Sequence, residues 1–404
     1  MKRIYLFFVA LALLFFACEK ESLTTDERSS GGLGIATADS AAGGSASGGS
    51  AAGGSSGPAG DSTLQAGQLT AGEWNDLENW PFWQELMVND THQLYLSDWG
   101  YYDIRPIRAE VNYMDGSPAI DVQVSLQNEE GDVVWRTRTD NKGRAVCFTG
   151  LSVMGSTNGL RLIAQSNGEN YTFNSVDASP FALNSLSIPG TINAPTRADV
   201  VFVFDATGSM GDELEYIKVE FADIINRIQS EHSMVNFRLG ATFYRDEGDE
   251  YVTRQQPLTG GFTTVGDFIE AQSAAGGGDY PEAVHSALQD AVSNQQWAGS
   301  ARARLVFIIL DAPPHKQQAV INRIQEEVVA AAQEGIKIIP VAASGVNKET
   351  EFLLRAMAIA TNGTYTFITD HSGIGNDHLE PTIGDYEVEY LNDLIVRLIG
   401  EYVE

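Results

Sequence analysis

Three oxygen-bearing side chains alternate along the short segment Asp205-Ala206-Thr207-Gly208-Ser209. One carboxylate and two hydroxyls on a tight turn can face a single point, and hard oxygen ligands of this kind suit Mg²⁺, Mn²⁺ or Ca²⁺. The same residue types also cap helix N-termini, where they accept hydrogen bonds from free backbone N–H groups. The segment alone therefore does not distinguish a cation site from a helix cap.

Further acidic residues follow other apolar runs in the C-terminal half of the chain. Asp246 lies in YRDEGD and Asp279 in GGGDYPE, whereas Asp311 comes directly after the run that ends at Leu310. His315 lies four residues beyond Asp311. Each of these residues alone has the ordinary interpretation of a turn or cap residue. Together they predict an acidic site, provided that the fold brings the loops to one place.

The elements that would position these residues follow a strand–helix pattern from residue 197 onward. Val200 to Phe204 is a continuous apolar run, as expected of a parallel strand that is buried on both faces. Apolar residues then recur at helical spacing from Leu214 to Ile228, and similar pairs of elements follow to Tyr402. The pattern predicts a doubly wound, mostly parallel α/β sheet, in which a ligand site lies at the carboxyl ends of the strands.

Four segments occur in the order and spacing of a von Willebrand factor A (vWA) domain, and we assign the resemblance to residues 197–404. The segments are VVFVFDATGSM, FYRDEGDEY, GGGDYPEAVHSAL and VFIILDAPPH. The resemblance implies a Rossmann-like fold and a metal-ion-dependent adhesion site (MIDAS) for a divalent cation, foremost Mg²⁺. It implies that Asp205, Thr207 and Ser209 coordinate or orient the cation, and that Asp311 acts through water.

The third loop departs from the usual vWA pattern, in which a threonine is the ligand. Asp279 takes that place here, as in vWA domains with a Gly-Gly-Asp-x-Pro-Glu loop. Asp212 and Glu213 resemble an acidic pair that forms a second cation site in some integrins, although acidic residues are expected in a first helical turn. Asp246 and His315 are candidates for supporting the site, with a turn role equally open for His315.

Residues 104–196 predict an all-β sandwich that precedes the α/β domain. Apolar and polar residues alternate from Ile107 to Tyr113 and again from Val122 to Leu126, with Gly-containing turns between the runs. The segment resembles the carboxypeptidase-regulatory-like or collagen-adhesin-B-like sandwiches that serve as spacers in bacterial surface proteins. Residues 66–103 contain several tryptophans, and we expect this segment to pack on the domain that follows it.

The first 65 residues predict a leader and a tether. Residues 1–18 have a basic start, an apolar run and a final Ala17-Cys18, which resembles a bacterial lipoprotein signal with lipidation at Cys18. An ordinary secretory signal or an uncleaved anchor are the alternatives. Residues 19–65 are rich in Gly, Ser and Ala, which is typical of a flexible linker. These features favour an outer-membrane lipoprotein, exposed on the cell surface or facing the periplasm.

The composition excludes several classes of function. The formal net charge of −29 would repel nucleic acid and anionic lipid surfaces. No Lys of a phosphate-binding loop follows the Gly-rich segment, so a nucleotide or other small-molecule cofactor is not expected. The sequence contains no H-E-x-x-H segment, and Thr207 replaces the first glycine of a G-x-S-x-G segment. A metal-dependent hydrolase is therefore the least favoured hypothesis, and we expect no enzyme activity.

These observations predict a lipid-anchored envelope protein that binds a protein partner through a divalent cation, in adhesion or in another protein–protein interaction. The partner would offer an acidic side chain to an open coordination position. The alternative is a scaffold or chaperone for an envelope complex, with or without a role for the cation.

Overall fold

The computed structural model describes residues 64–151, 158–191 and 194–404. The predicted signal peptide, the lipidation at Cys18 and all but the last two residues of the predicted tether lie outside the described residues. The described part of the chain forms one compact unit. None of the helices described in it is long and apolar enough to cross a membrane.

The strands fall into three sheets. In chain order they are β1 (Thr70–Trp74), β2 (Arg105–Tyr113), β3 (Gln123–Gln127), β4 (Val133–Arg138), β5 (Arg144–Thr149), β6 (Arg161–Ser166), β7 (Glu169–Phe173), β8 (Leu183–Ile188), β9 (Arg197–Asp205), β10 (Asn236–Tyr244), β11 (Thr253–Thr259), β12 (Ala303–Leu310), β13 (Ile336–Ala342), β14 (Tyr365–Ile368) and β15 (Glu389–Tyr390). The α-helices are α1 (Trp80–Leu86), α2 (Asp90–Asp98), α3 (Leu214–Glu231), α4 (Phe262–Glu270), α5 (Val284–Val292), α6 (Gln318–Glu334), α7 (Lys348–Thr361) and α8 (Leu391–Val403).

The largest sheet has eight strands in the order β11-β10-β9-β12-β13-β14-β1-β15. Its five central strands, β10, β9, β12, β13 and β14, are parallel to one another. The three remaining strands, β11, β1 and β15, are antiparallel to their neighbours. Alternate residues of β9 enter two separate cores, Phe202 and Phe204 on one face and Val201 and Val203 on the other. Helices cover both faces, which explains why these strands are apolar throughout. The predicted doubly wound, mostly parallel α/β fold is confirmed.

The tryptophan-rich segment differs from the prediction, because it joins the α/β domain as well as contacting the sheets that follow it. β1 pairs antiparallel with β14, so a strand from far upstream extends the large sheet. The Trp83 ring stacks on Phe352 of α7 with 5.5 Å between the ring centroids. Beside them, the buried Arg355 guanidinium donates to both carboxylate oxygens of Asp76 at 2.6 and 2.9 Å. This segment is thus part of the core of the α/β domain.

The start of β1 is fixed by a single carboxylate. Glu220 of α3 is fully buried, and its two oxygens accept hydrogen bonds of 2.7 to 3.0 Å from the backbone N–H groups of Gly67, Gln68 and Leu69. Three donors satisfy a charge that would otherwise be costly to bury. The contact holds the chain against α3 just before the strand begins.

The two smaller sheets are formed by β2 to β8, as predicted for an all-β region. One has the order β5-β2-β8 and the other β4-β3-β6-β7. They share a core, in which the rings of Trp135 and Phe148 meet edge to face at 5.4 Å. The free Cys147 is buried in this core, where burial raises the pKa of its thiol. The proposed spacer family of this segment stays a prediction.

A buried ion pair connects the smaller sheets to the α/β domain. Asp121 accepts hydrogen bonds from Arg304 of β12 at 2.8 and 3.2 Å, and a third from the backbone N–H of Ala301 at 3.0 Å. The side chains of Asp121 and Arg304 are almost entirely buried. Asp121 has φ +60°, a left-handed conformation that Asp tolerates better than most residues.

Candidate metal centre

The candidate site lies where β9, β10 and β12 end. Asp205 is the last residue of β9 and pairs in register with Tyr244, the last residue of β10. Ile309 of β12 is level with Phe204, so Asp311 begins its loop at the same edge of the sheet. Because the strands are parallel, three loops separated in sequence open towards one place.

Asp205 is fully buried and accepts hydrogen bonds at both carboxylate oxygens. Its Oδ1 accepts from the backbone N–H of Thr207 at 2.9 Å and contacts the Thr207 hydroxyl at 2.6 Å. Its Oδ2 accepts from the Tyr244 hydroxyl at 2.9 Å. Burial raises the pKa of Asp205 above its ordinary value, although the hydrogen bonds from Thr207 and Tyr244 oppose this effect. The carboxylate is therefore held in one orientation.

A chain of polar contacts joins Asp205 to Asp311. The hydroxyls of Thr207 and Ser209 are 3.1 Å apart, and Ser209 hydrogen-bonds to the Asp311 carboxyl group. Thr207 and Ser209 supply two hydroxyl hydrogens for three contacts, so one of these contacts lacks a donor hydrogen unless one of the two carboxyl groups carries a proton. Burial and then the Asp205 charge raise the pKa of Asp311, and its buried Oδ1 has no hydrogen-bond partner.

Glu282 adds a third buried carboxyl group from the loop before α5. It is 2% exposed, and its Oε2 is buried without a hydrogen-bond partner. Burial raises the pKa of Glu282 to about 9, with further contributions from Asp205, Asp246 and Asp311 in that order. Because these three carboxylates affect its pKa, the Glu282 carboxyl group shares the electrostatic environment of the Asp205 turn.

Glycine positions this loop against the Asp205 turn. Gly277 has φ +68°, and a Cβ atom there would lie 2.9 Å from Glu282 Oε1 and 3.3 Å from Thr207 Cβ. The loop is tied to the turn by hydrogen bonds from Gly208 N to Gly276 O at 3.1 Å and from Ala275 N to Ala206 O at 3.0 Å. A side chain at residue 277 would occupy the space between Glu282 and Thr207.

Asp246 and His315 form a pair at the side of the site. His315 Nε2 lies 2.7 Å from Asp246 Oδ1. Asp246 is buried and contributes to the raised pKa of Asp205 and of Glu282. The two residues that the sequence suggested as supporting the site therefore contact each other.

The residues present fit a hard divalent cation. Carboxylate and hydroxyl oxygens are the ligands that Mg²⁺, Mn²⁺ and Ca²⁺ prefer, and unpartnered oxygens of Glu282 and Asp311 are buried beside them. A cation would also offset the burial, and the mutual repulsion added to it, that raise the pKa values of Asp205, Glu282 and Asp311. Within the described residues, no three His, Cys, Asp or Glu side chains form a metal-binding group by themselves. The candidate set therefore depends on the hydroxyls of Thr207 and Ser209 as well as on carboxylates.

Comparison with known proteins agrees with this arrangement. A sequence model described as "von Willebrand factor A domain" matches residues 199–375. The chain contains a vWA domain. The matched range begins in β9 and ends after β14, so the vWA domain includes the loops that carry Asp205, Glu282 and Asp311.

Two curated proteins share sequence with part of the chain. One is a putative ariadne-like RING finger protein of Acanthamoeba polyphaga mimivirus, 30% identical over 133 residues, which are 32% of this chain and 12% of that protein. The other is the alpha-protein kinase vwkA of Dictyostelium discoideum, 30% identical over 126 residues, which are 31% of this chain and 20% of that protein. The chain thus spans only a minor part of either relative.

Two solved structures resemble the chain weakly. The conserved hypothetical protein BatB from Bacteroides thetaiotaomicron has 17% identity and a TM-score of 0.35, covering 51% of this chain and 98% of that chain. An aerotolerance-related membrane protein from Bacteroides fragilis has 15% identity and a TM-score of 0.33, with the same coverage of both chains.

The structure separates the predicted site residues of the vWA domain into two groups. Asp205, Thr207, Ser209 and Asp311 meet at the strand ends. The side chain of Asp279 is exposed, and Glu282, three residues later, is the acidic residue of this loop that is buried beside the others. The assignment of Asp279 from the sequence therefore differs from the structure.

Asp212 and Glu213 do not converge as a second cation site would require. Asp212 is exposed and accepts a hydrogen bond from Asn376 Nδ2 at 2.8 Å. Glu213 is fully buried, accepts from the backbone N–H of Ser344 at 3.2 Å and lies 3.1 Å from His378 Nε2. The two neighbouring carboxylates thus have entirely different surroundings.

Sequence reasoning missed Glu282 and Tyr244 as members of the site. The signal for Glu282 was present, because GGGDYPE contains two acidic residues and an irregular loop can bury either of them. Tyr244 ends an apolar strand and resembles an ordinary core residue in the sequence.

Proposed function

We propose that the vWA domain binds a divalent cation, foremost Mg²⁺ with Mn²⁺ or Ca²⁺ as alternatives, and that the cation supports binding of a protein partner. The observation that carries the proposal is the polar chain from Asp205 through Thr207 and Ser209 to Asp311, which ends in buried oxygens without partners. These four residues would hold the cation, with Glu282 as a further ligand from the third loop. The cation would supply positive charge to an acidic side chain of the partner.

The mouth of the site is suited to contact with another protein. Ser209, Asp279 and Tyr280 are exposed around the buried carboxyl groups, so a partner can reach the site without a rearrangement of the sheet. Mediation of protein–protein contacts is a common role of vWA domains, which makes this the function that the domain assignment favours.

We propose a binding role without catalysis. Nucleophilic catalysis needs a hydroxyl hydrogen-bonded to a general base. Among the described residues, Ser209 hydrogen-bonds to Thr207 and Asp311 and to no histidine. His315 is engaged by Asp246.

We also propose that the chain is anchored in the bacterial envelope by lipid at Cys18. The support is the leader sequence alone, with its basic start, its apolar run and Ala17-Cys18. Metabolic labelling with a radioactive fatty acid tests this proposal. Wild type should carry the label and Cys18→Ser should not, whereas unlabelled wild-type protein would contradict it.

Partner capture tests the proposed function of the vWA domain. The full chain, the Asp205→Ala variant and the Glu334→Ala variant are used to retain envelope proteins in Mg²⁺ and in EDTA. Glu334→Ala is the control, because it removes an exposed carboxylate at the end of α6, just before β13 begins and so at the opposite edge of the large sheet from the site. Partners should be retained by wild type and Glu334→Ala in Mg²⁺ only. Equal retention by Asp205→Ala in EDTA would contradict the cation-dependent function and favour the metal-independent scaffold.

A further inference from the structure

The vWA site contains one carboxyl group more than it needs to neutralise a divalent cation. Asp205 and Asp311 together balance two positive charges. Glu282 brings a third carboxylate to the same buried place, where its Oε2 has no partner. With all three ionised and a divalent cation bound, these groups alone, with the nearby Asp246 not counted, would carry a net charge of about −1, and a partner's carboxylate would make it about −2. Repulsion at short range in a buried site disfavours that fourth carboxylate.

Glu282 is held in position by its backbone as well as by its surroundings. Its N–H donates to Pro313 O at 2.9 Å, and Glu282 forms an isolated parallel bridge with Pro314. Pro313 and Pro314 belong to the loop that begins with Asp311, so the same contact ties Glu282 to a residue of the site. The carboxyl group is thus brought to the site by the fold rather than by a mobile loop tip.

The Glu282 side chain lies close to the turn that carries Thr207. A Cβ atom at Gly277 would be 2.9 Å from Glu282 Oε1 and 3.3 Å from Thr207 Cβ, so the two side chains border the same small space. Ser209 of that turn and Tyr280 of the Glu282 loop are exposed, so a carboxylate from outside can approach this place.

We propose that Glu282 is an internal carboxylate ligand, which occupies the coordination position that an acidic side chain of the partner would take. The proposal rests on the function proposed above, because it concerns the same site and the same cation. A carboxylate ligand from outside binds only in competition with Glu282. If Glu282 occupies the position for roughly nine-tenths of the time, the apparent affinity for an external carboxylate falls about tenfold. Only a partner whose carboxylate binds the cation more strongly than Glu282 does would therefore occupy the site.

The test counts the exchangeable water molecules on Mn²⁺ by water-proton relaxivity. The full-length wild type is compared with Glu282→Ala, which removes the ligand, and with Asp279→Ala, which removes an exposed carboxylate of the same loop. Glu282→Ala should raise the relaxivity of bound Mn²⁺ by the contribution of one additional water, and Asp279→Ala should leave it unchanged. Added acetate should then lower the relaxivity of the Glu282→Ala protein by displacing that additional water, whereas in wild type acetate would displace Glu282 and the relaxivity should hardly change.

A second variant keeps the test valid if Glu282→Ala does not fold. Glu282→Gln preserves the shape of the side chain and removes its charge, so acetate should again bind more tightly than to wild type. Unchanged relaxivity in Glu282→Ala and an unchanged acetate response in both variants would overturn the role of Glu282 while leaving cation binding intact. Failure of wild type to bind Mn²⁺ at all would overturn the proposed function together with this inference.

Discussion

Replacement of Glu282 by Gln should stabilise the cation-free protein at neutral pH. In the folded protein burial and neighbouring carboxylates raise the pKa of Glu282 to about 9, from an ordinary value of 4.5. At pH 7 the folded protein therefore retains a proton that the unfolded chain has lost. Stability due to the protonated group is fully present below pH 4.5 and is lost as the pH rises towards 9. Gln has no proton to lose and so does not show this loss.

The size of the effect follows from the interval between the two pKa values. At about 1.4 kcal/mol for each pH unit, the interval from 4.5 to pH 7 corresponds to a cost of about 3 kcal/mol in the free energy of unfolding. Glu282→Gln should remove most of that cost at pH 7 and make little difference near pH 4. In saturating Mg²⁺ the order should reverse, because the cation favours the ionised carboxylate that Gln cannot provide.

Urea unfolding of the full chain in EDTA, followed by tryptophan fluorescence, measures the difference. Trp83 and Trp99 are buried in the same compact unit as Glu282 and report its unfolding. Wild type and Glu282→Gln are compared at pH 4, 7 and 8. A difference that does not grow with pH, or a variant that is less stable than wild type at pH 8, would refute the assignment of Glu282 as a buried carboxyl group with a raised pKa.

Three further predictions concern the pH, the domain interface and the start of β1. Because cation binding must remove protons from Glu282 and its neighbours, Mg²⁺ affinity measured by calorimetry should increase between pH 6 and 8, by about tenfold per pH unit for each proton released; a flat profile would contradict this. Asp121→Asn should lower the free energy of urea unfolding by about 3 kcal/mol, since Arg304 is left buried without the negative charge of Asp121. Asn tolerates the positive φ of this position as Asp does, so the backbone adds no cost. A loss below about 1 kcal/mol would contradict this prediction. Glu220→Ala should make residues 64–70 more susceptible to limited proteolysis detected by mass spectrometry, because three backbone N–H groups lose their acceptor; an unchanged cleavage pattern would show that β1 holds the segment without Glu220.

The regular elements of the vWA domain follow from local sequence patterns. The apolar run from Val200 to Phe204 predicts the buried strand that the structure contains as Arg197–Asp205. The helical spacing of apolar residues from Leu214 to Ile228 predicts the helix that extends over Leu214–Glu231. In both cases the signal is local, because a strand buried on two faces must be apolar and a helix must repeat with its own period.

The position of β1 could not be read from the sequence. Thr70–Trp74 pairs with Tyr365–Ile368, almost 300 residues later, and the antiparallel pairing depends on which edge of the sheet is free. A fragment that begins at Arg197 would therefore lack a strand of the vWA sheet. Measurements on the cation site are better made on the full chain for this reason.

The sequence also could not show whether Asp279 or Glu282 is the acidic residue of this loop that is buried at the site. Both residues lie in GGGDYPE, and both are acidic. The loop turns through Gly276 and Gly277, which have φ +78° and +68°, and its end is fixed by the contact of Glu282 with Pro313. No periodic pattern in the sequence predicts these irregular dihedral angles, yet they determine which of the two carboxylates is buried.

Calorimetric titration of Mg²⁺ into the full chain tests the central claim most directly. Wild type, Asp205→Ala and Asp279→Ala are titrated in parallel at pH 8, where fewer protons oppose binding. Saturable binding by wild type and Asp279→Ala that is lost in Asp205→Ala is the predicted result. Absence of binding in wild type, or binding that survives Asp205→Ala and disappears in Asp279→Ala, would contradict a cation centre built on Asp205, Thr207, Ser209 and Asp311.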